Sequence, residues 1–316
     1  MKGVLQMNEV LSQMIPVFLL MIFGKWMGRR AWFSEKTIKD INGLIVNVTL
    51  PAVIFQSFLQ MELKKEYALL FMLIFVMLYV FFLTGKLLNR IPALTSPLLP
   101  FYTSGMAYGF IGFPFYLAMY GIEHLGHYAL LGVGHEAFVW LFLFPQIRIQ
   151  AGGKRLIRED GIKILLSPTV MAIFLGIGIN LSGLLQYTVG NQVMSGLIKT
   201  LEYLANLNTP LILLIVGYGI RVQGRLLYQS AKLVMVRLFI IVTIGILFKI
   251  FIINTIVPPN PYFNHAYLTF LILPPPLVLP MYVSLFEAHQ LTEIASNAVA
   301  LNILVTMWIY LMMVFL

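Results

Sequence analysis

The sequence predicts an all-α polytopic membrane protein, with ten transmembrane helices arranged as five plus five in an inverted repeat. Three observations lead there. The 316 residues are 60% hydrophobic and only 10% charged, with a mean hydropathy of +0.90, far outside the range of a soluble globular chain. Lys and Arg fall alternately in and out of the gaps between apolar runs. One short Asn-to-Pro pattern occurs twice, half a chain apart.

Stretches long enough to span a bilayer lie at 9–27, 38–58, 67–88, 98–119, 126–145, 162–184, 197–219, 233–255, 264–286 and 295–316. No small-residue cleavage site follows the first, so it is expected to be retained as a helix. Segments 1–5 and 6–10 give repeats over 1–145 and 162–316, joined by a polar stretch at 146–161. Sixteen Lys and Arg, among them Lys25, Lys86, Arg148 and Arg237, sit in alternate gaps, against four in the others (Lys2, Lys64, Lys65 and Lys199). The positive-inside rule then predicts both termini outside and 146–161 in the cytoplasm, at the cytoplasmic membrane. The +9 formal charge is explained by this topology and does not imply a nucleic-acid partner. With no cysteine, disulfides, thiolate catalysis and Cys-bound metals are excluded.

Segment 2 holds Asn47 four residues before Pro51, and segment 7 holds Asn206 four residues before Pro210, a spacing of 159 residues. An odd number of helices per half forces the halves to enter the membrane in opposite directions. Segment 9 contains Leu273-Pro274-Pro275-Pro276-Leu277-Val278-Leu279-Pro280. Those prolines cannot donate to the carbonyls of Phe270, Leu271, Ile272 and Pro276, so one regular helix is excluded. Lipid tolerates such backbone only inside protein or beside a polar cavity. Segment 4 carries a second break-prone run in the matching position, Gly109-Phe110-Ile111-Gly112-Phe113-Pro114. Interrupted segments at matching positions of inverted halves point to the binding site of a secondary transporter, with half-helix N-termini suited to anions.

Asn42–Phe58, Gly109–Pro114, Leu204–Gly217 and Leu273–Phe286 together resemble the auxin efflux carrier family in its bacterial branch, over essentially the whole chain. The resemblance implies a fold like that of the bile acid/sodium symporters. Broken helices 4 and 9 cross at prolines in a mobile transport domain, and helices 1, 2, 6 and 7 form a scaffold. It also implies movement of an organic anion, such as malate or malonate, by alternating access. Pro114 and a proline of the 274–280 cluster would mark the crossover. Ala107 stands where family members often carry Asn, and the connection at 146–161 is short compared with the long loop of many plant members.

The expected substrate-binding residues are Asn47, Pro51, Gly109, Gly112, Pro114, Asn206, Pro210, Pro274, Pro275, Pro276, Pro280 and Tyr282. Asn47 and Asn206 could instead cover the carbonyls that Pro51 and Pro210 leave without donors. Glu136 and His135, about mid-way along segment 5, are candidate proton carriers or a structural pair. They are not a zinc-protease motif, because Val139 stands where its second His would be. Lys249 is expected to snorkel to the interface, and Glu202 to be interfacial. The expected partners are a small organic anion, the bilayer and protons, with a homodimer left open. No catalytic residue, cofactor or metal site is expected. An intramembrane enzyme would need clustered acidic residues, and a channel would not need two matched breaks. No P-loop is present, so the expected driving force is a membrane potential, a proton gradient or the substrate's own gradient.

Overall fold

The structure is a computed structural model. It describes residues 2–60, 66–150, 166–183, 192–220, 226–277, 279–283, 286 and 288–315, and the regular structure among them is helical. In chain order the helices are α1 (Lys2–Arg29), α2 (Glu35–Leu44), α3 (Leu50–Gln60), α4 (Glu66–Leu88), α5 (Leu99–Tyr102), α6 (Phe113–Tyr120), α7 (Leu125–Phe138) and α8 (Phe144–Gln150). They continue with α9 (Pro168–Ser182), α10 (Gln192–Gly219), α11 (Leu227–Phe248), α12 (Pro261–Ile272), α13 (Leu279–Val283) and α14 (His289–Phe315). Among the described residues, six helical stretches are long and apolar enough to cross a membrane: Lys36–Leu59, Leu69–Leu88, Ile122–Ile147, Gln192–Gly219, Leu227–Ile256 and His289–Tyr310. The protein is therefore a multi-pass membrane protein. The predicted connection at 146–161 begins as helix, to Gln150; residues 151–161 lie outside the described residues.

The chain divides into two compact units, each drawing on both halves of the sequence. The first is Met1–Lys64, Gly109–Ala129 and Arg158–Ile220; the second is Lys65–Tyr108, Leu130–Ile157 and Arg221–Leu316. Segments 1, 2, 6 and 7 share the first unit, joined there by the later half of segment 4.

In the first unit, α1 and α10 approach until backbone meets backbone. A Cβ on Gly24 would lie 2.1 Å from the carbonyl oxygen of Leu214, and one on Gly217 would lie 2.0 Å from that of Met21. Without a hydrophobic drive between helices in lipid, such close contact at small residues is what joins them. α9 meets α3 in the same manner. Gly176 faces the Phe55 carbonyl, and the Asn180 amide donates to the carbonyls of Phe58 and Leu59 at 2.8 and 3.0 Å. Leu214 and Phe55, each receiving a glycine, stand 159 residues apart, the spacing of the repeated Asn–Pro pattern.

Two prolines of the first unit are absorbed without a break. Pro51 has no N–H for the Asn47 carbonyl. The chain widens there into a π-turn over Ile45–Thr49, and the Leu50 N–H reaches back to Ile45. α10 runs on through Pro210.

Aromatic edges join the elements of the second unit. Phe75 meets Phe138, and Phe142 meets both Tyr79 and Phe82, all edge-on with ring centres 5.0–5.6 Å apart, a favoured geometry. The Tyr267 hydroxyl donates to the Gly245 carbonyl at 2.8 Å, tying α12 to α11.

Candidate functional site: two interrupted helices in the second unit

Segment 9 is interrupted as its prolines require. α12 ends at Ile272, and the chain runs without helix through Leu273–Pro276 before α13 begins at Leu279. Leu273 to Pro276 are all buried, so their backbone groups need partners other than water. The Phe270 carbonyl accepts the Leu273 N–H at 3.4 Å, and the Pro276 carbonyl the Leu279 N–H at 2.9 Å. The Ile272 carbonyl takes the Thr306 hydroxyl at 2.6 Å, and the Leu273 carbonyl takes Arg237 at 3.0 Å.

Segment 4 is interrupted too, but upstream of the expected place. Gly109, Gly112 and Pro114 are helical: a π-turn over Tyr108–Gly112 feeds α6, with Pro114 in its first turn, where a missing N–H is harmless. The break is Thr103–Ala107. Two side chains end α5 by bonding back onto it. The Thr103 hydroxyl donates to Leu99 at 2.9 Å and the Ser104 hydroxyl to Pro100 at 2.8 Å, a competition with the helix ladder typical of Ser and Thr. Gly105 then lets the other break in, since a Cβ there would lie 2.7 Å from the Pro276 ring. One residue pair joins the two breaks directly, the Ala107 N–H donating to the Pro274 carbonyl at 2.7 Å. Of the proline cluster, Pro274 and Pro276 therefore make the crossing, and Ala107 contributes through its backbone.

Two side chains complete the backbone pairing. His135, buried, accepts the Met106 N–H on Nε2 at 3.1 Å. That leaves its proton on Nδ1, which faces Glu136 Oε1 at 3.3 Å, so the pair fixes the tautomer that holds the break. The ring lies between Tyr108 and Phe270, with centres 5.3 and 5.7 Å away. Arg237 corrects the charge count made from the sequence, which placed it in a loop. It is fully buried in α11. One terminal nitrogen donates to the Tyr102 carbonyl, the other to Gly105 at 2.8 Å and Leu273 at 3.0 Å. One guanidinium thus grips both interrupted stretches, its five fixed donors suiting it to several carbonyls at once.

A family model described as membrane transport protein matches residues 9–314 of the chain. The chain belongs to that family. It is the family of auxin efflux carrier-like membrane transport proteins which the sequence resembles. No curated protein matches the chain.

In this membrane transport protein, the other expected residues are distributed unevenly. Asn47 is exposed, and its amide donates to Gly43 at 2.8 Å rather than covering its own carbonyl. Asn206 is exposed as well. The buried polar pair of segments 2 and 7 lies two residues further on, where the Thr49 hydroxyl donates to Asn208 Oδ1 at 3.0 Å. A polar residue two places before each proline was the available signal. Tyr282 stacks on Phe144, ring centres 4.0 Å apart. Glu202 pairs with Lys199 at 3.6 Å, and Lys249 donates to Asn254 at 2.8 Å.

Before Arg237 on α11, Gln229, Lys232, Leu233 and Val236 line a cavity of about 190 Å³ with Ser96 and Ile294 opposite. Leu233 and Arg237 are four residues apart, so the cavity and the guanidinium share a face of the helix. Together these features bring irregular backbone held by side chains, a buried cation, and a His–Glu pair around one crossing. That combination can hold a charged solute and respond to protons.

Proposed function

We propose that the chain is a secondary transporter carrying a small organic anion, a mono- or dicarboxylate such as malate or malonate, across the cytoplasmic membrane by alternating access. The observation that carries this is Arg237. Among the described residues no carboxylate pairs with it, and neutral carbonyls of both breaks hold it instead. An ionisable group inside a membrane protein is expensive and marks a substrate or ion pathway. A cation whose partners among the described residues are neutral, backbone carbonyls and the Met106 sulfur, is ready for an anion from outside the protein.

The ten-helix inverted repeat belongs to the same reading. Two features support it: the 159-residue spacing that recurs in Asn47–Asn206 and Thr49–Asn208, and the paired breaks. Outward termini follow from the charge bias, which loses only Arg237 from its inner side. In this reading the His135–Glu136 pair couples transport to protons, and Gly109, Gly112 and Pro114 form the half-helix leading away from the crossing. Uptake into reconstituted vesicles tests the proposal, using labelled mono- and dicarboxylates with and without an imposed potential or pH gradient. Saturable uptake of carboxylates but not of cations or neutral solutes is expected. Uptake of only cations or neutral solutes would overturn it.

A further inference from the structure

Two side chains, one on α11 and one on α14, carry polar atoms that are buried without a partner among the described residues. The atoms are Nε of Arg237 and both amide atoms, Nδ2 and Oδ1, of Asn302. Both side chains are fully buried. Unpaired polar atoms in such places are rare, and each calls for a specific explanation.

Their positions converge. On α14, Asn302 stands four residues after Ala298 and four before Thr306, so all three share one face. The Tyr102 hydroxyl donates to the Ala298 carbonyl at 2.6 Å, and the Thr306 hydroxyl donates to the Ile272 carbonyl at 2.6 Å. Arg237 bonds the carbonyls of Tyr102 and Leu273. Asn302 is therefore bracketed along α14 by the same two chain ends that Arg237 joins from α11.

We propose that Arg237 and Asn302 form the seat of a singly charged hydroxycarboxylate, which rests on the anion-carrier reading above and narrows it to the monocarboxylates. The unpaired atoms specify the ligand. Arg237 Nε–H and Asn302 Nδ2–H need acceptors, while Asn302 Oδ1 needs a donor. A bare carboxylate supplies acceptors only and would leave Oδ1 unpaired. A carboxylate with a neighbouring hydroxyl satisfies all three. An ammonium donor would set a second cation beside Arg237. A second carboxylate would find no further buried Lys or Arg among the described residues and would remain an unpaired charge in a dry site. The cavity on the same face of α11, with Lys232 on its wall, lies one helical turn before the guanidinium.

Binding of lactate, propanoate and alanine to the purified full-length chain in lipid nanodiscs tests the seat. Lactate and propanoate differ by one hydroxyl. A site built to pair that hydroxyl should favour lactate by about tenfold or more, and alanine should bind no better than propanoate. Asn302→Leu should bring lactate down to the affinity of propanoate, and Arg237→Gln should abolish binding of both. Because Arg237 also holds backbone, its variant can fail to fold; the Asn302→Leu result does not depend on it. Equal binding of lactate and propanoate to the unaltered chain would mean that water pairs the amide, and would overturn the seat while leaving the anion carrier standing. So would a lactate preference that survives Asn302→Leu. If no carboxylate binds the unaltered chain, the anion reading and the seat fall together.

Discussion

Thr49 and Asn208 are hydrogen-bonded side chain to side chain at 3.0 Å, and they are 159 residues apart. Each stands two residues after the asparagine and two before the proline of the repeated pattern. In a molecule with a two-fold axis between its halves, a residue meets its own counterpart only on that axis. In the proposed inverted repeat this bond would lie on that axis, between α10 and the π-turn that precedes α3.

Thr49→Val should expose the cost of this bond. It leaves the buried Asn208 amide, whose Nδ2 already has no partner among the described residues, without its remaining bond, a loss of about 1–3 kcal/mol. Thr49→Val combined with Asn208→Leu removes both partners and should recover most of that loss. Reversible unfolding in mixed micelles measures both, and equal stability of Thr49→Val and the parent would sink the prediction.

The approach of α1 and α10 leaves no room for a side chain. Gly217→Ala should separate the helices and destabilise the protein by about 1–3 kcal/mol, since packed contacts give little under overpacking. Gly196→Ala on the same helix meets nothing within 4 Å and serves as the control. The comparison requires only thermal unfolding of the two variants side by side.

Glu136→Gln keeps an oxygen that can accept from His135 Nδ1–H, so the tautomer holding the Met106 N–H survives. The variant should fold and exchange substrate across the membrane, yet lose any dependence of uptake on a pH gradient. His135→Phe, by contrast, leaves the buried Met106 N–H without an acceptor. It should cost about 1–3 kcal/mol of stability whatever the pH gradient. Unchanged pH dependence in a folded Glu136→Gln protein would remove that residue from proton coupling.

Topology can be tested in this naturally cysteine-free chain. The charge bias puts Gly3 outside and Thr95, exposed in the connection after Lys86 and Arg90, inside. Single cysteines at the two positions should react with an impermeant thiol reagent from opposite sides. Labelling from one side would refute the arrangement.

The proline cluster was legible because its effect is local: four residues without an N–H cannot continue a helix wherever they are placed. The break at Thr103–Ala107 was not, because Thr, Ser and Gly end a helix only when hydroxyls turn back on it and another chain needs the space at Gly105. Gly109, Gly112 and Pro114 carry the stronger helix-breaking composition, yet a π-turn accommodates them. Arg237 was misjudged for a related reason. Its three carbonyl partners come from residues 102, 105 and 273, and no window of sequence around α11 contains them. The Asn–Pro pattern led to the stretches of segments 2 and 7 that meet, but their buried polar contact lies two residues further on, because Asn stands out beside Pro more than Thr does.

Counterflow in proteoliposomes tests the central claim most directly. Vesicles loaded with a concentrated unlabelled hydroxycarboxylate are diluted into a trace of the labelled compound, with the membrane potential clamped to zero. A carrier that alternates access around one anion site must transiently accumulate label above its equilibrium level, and this protein should do so. Passive equilibration with no overshoot, accompanied by a steady anion current when a potential is applied, would identify a channel and contradict the account.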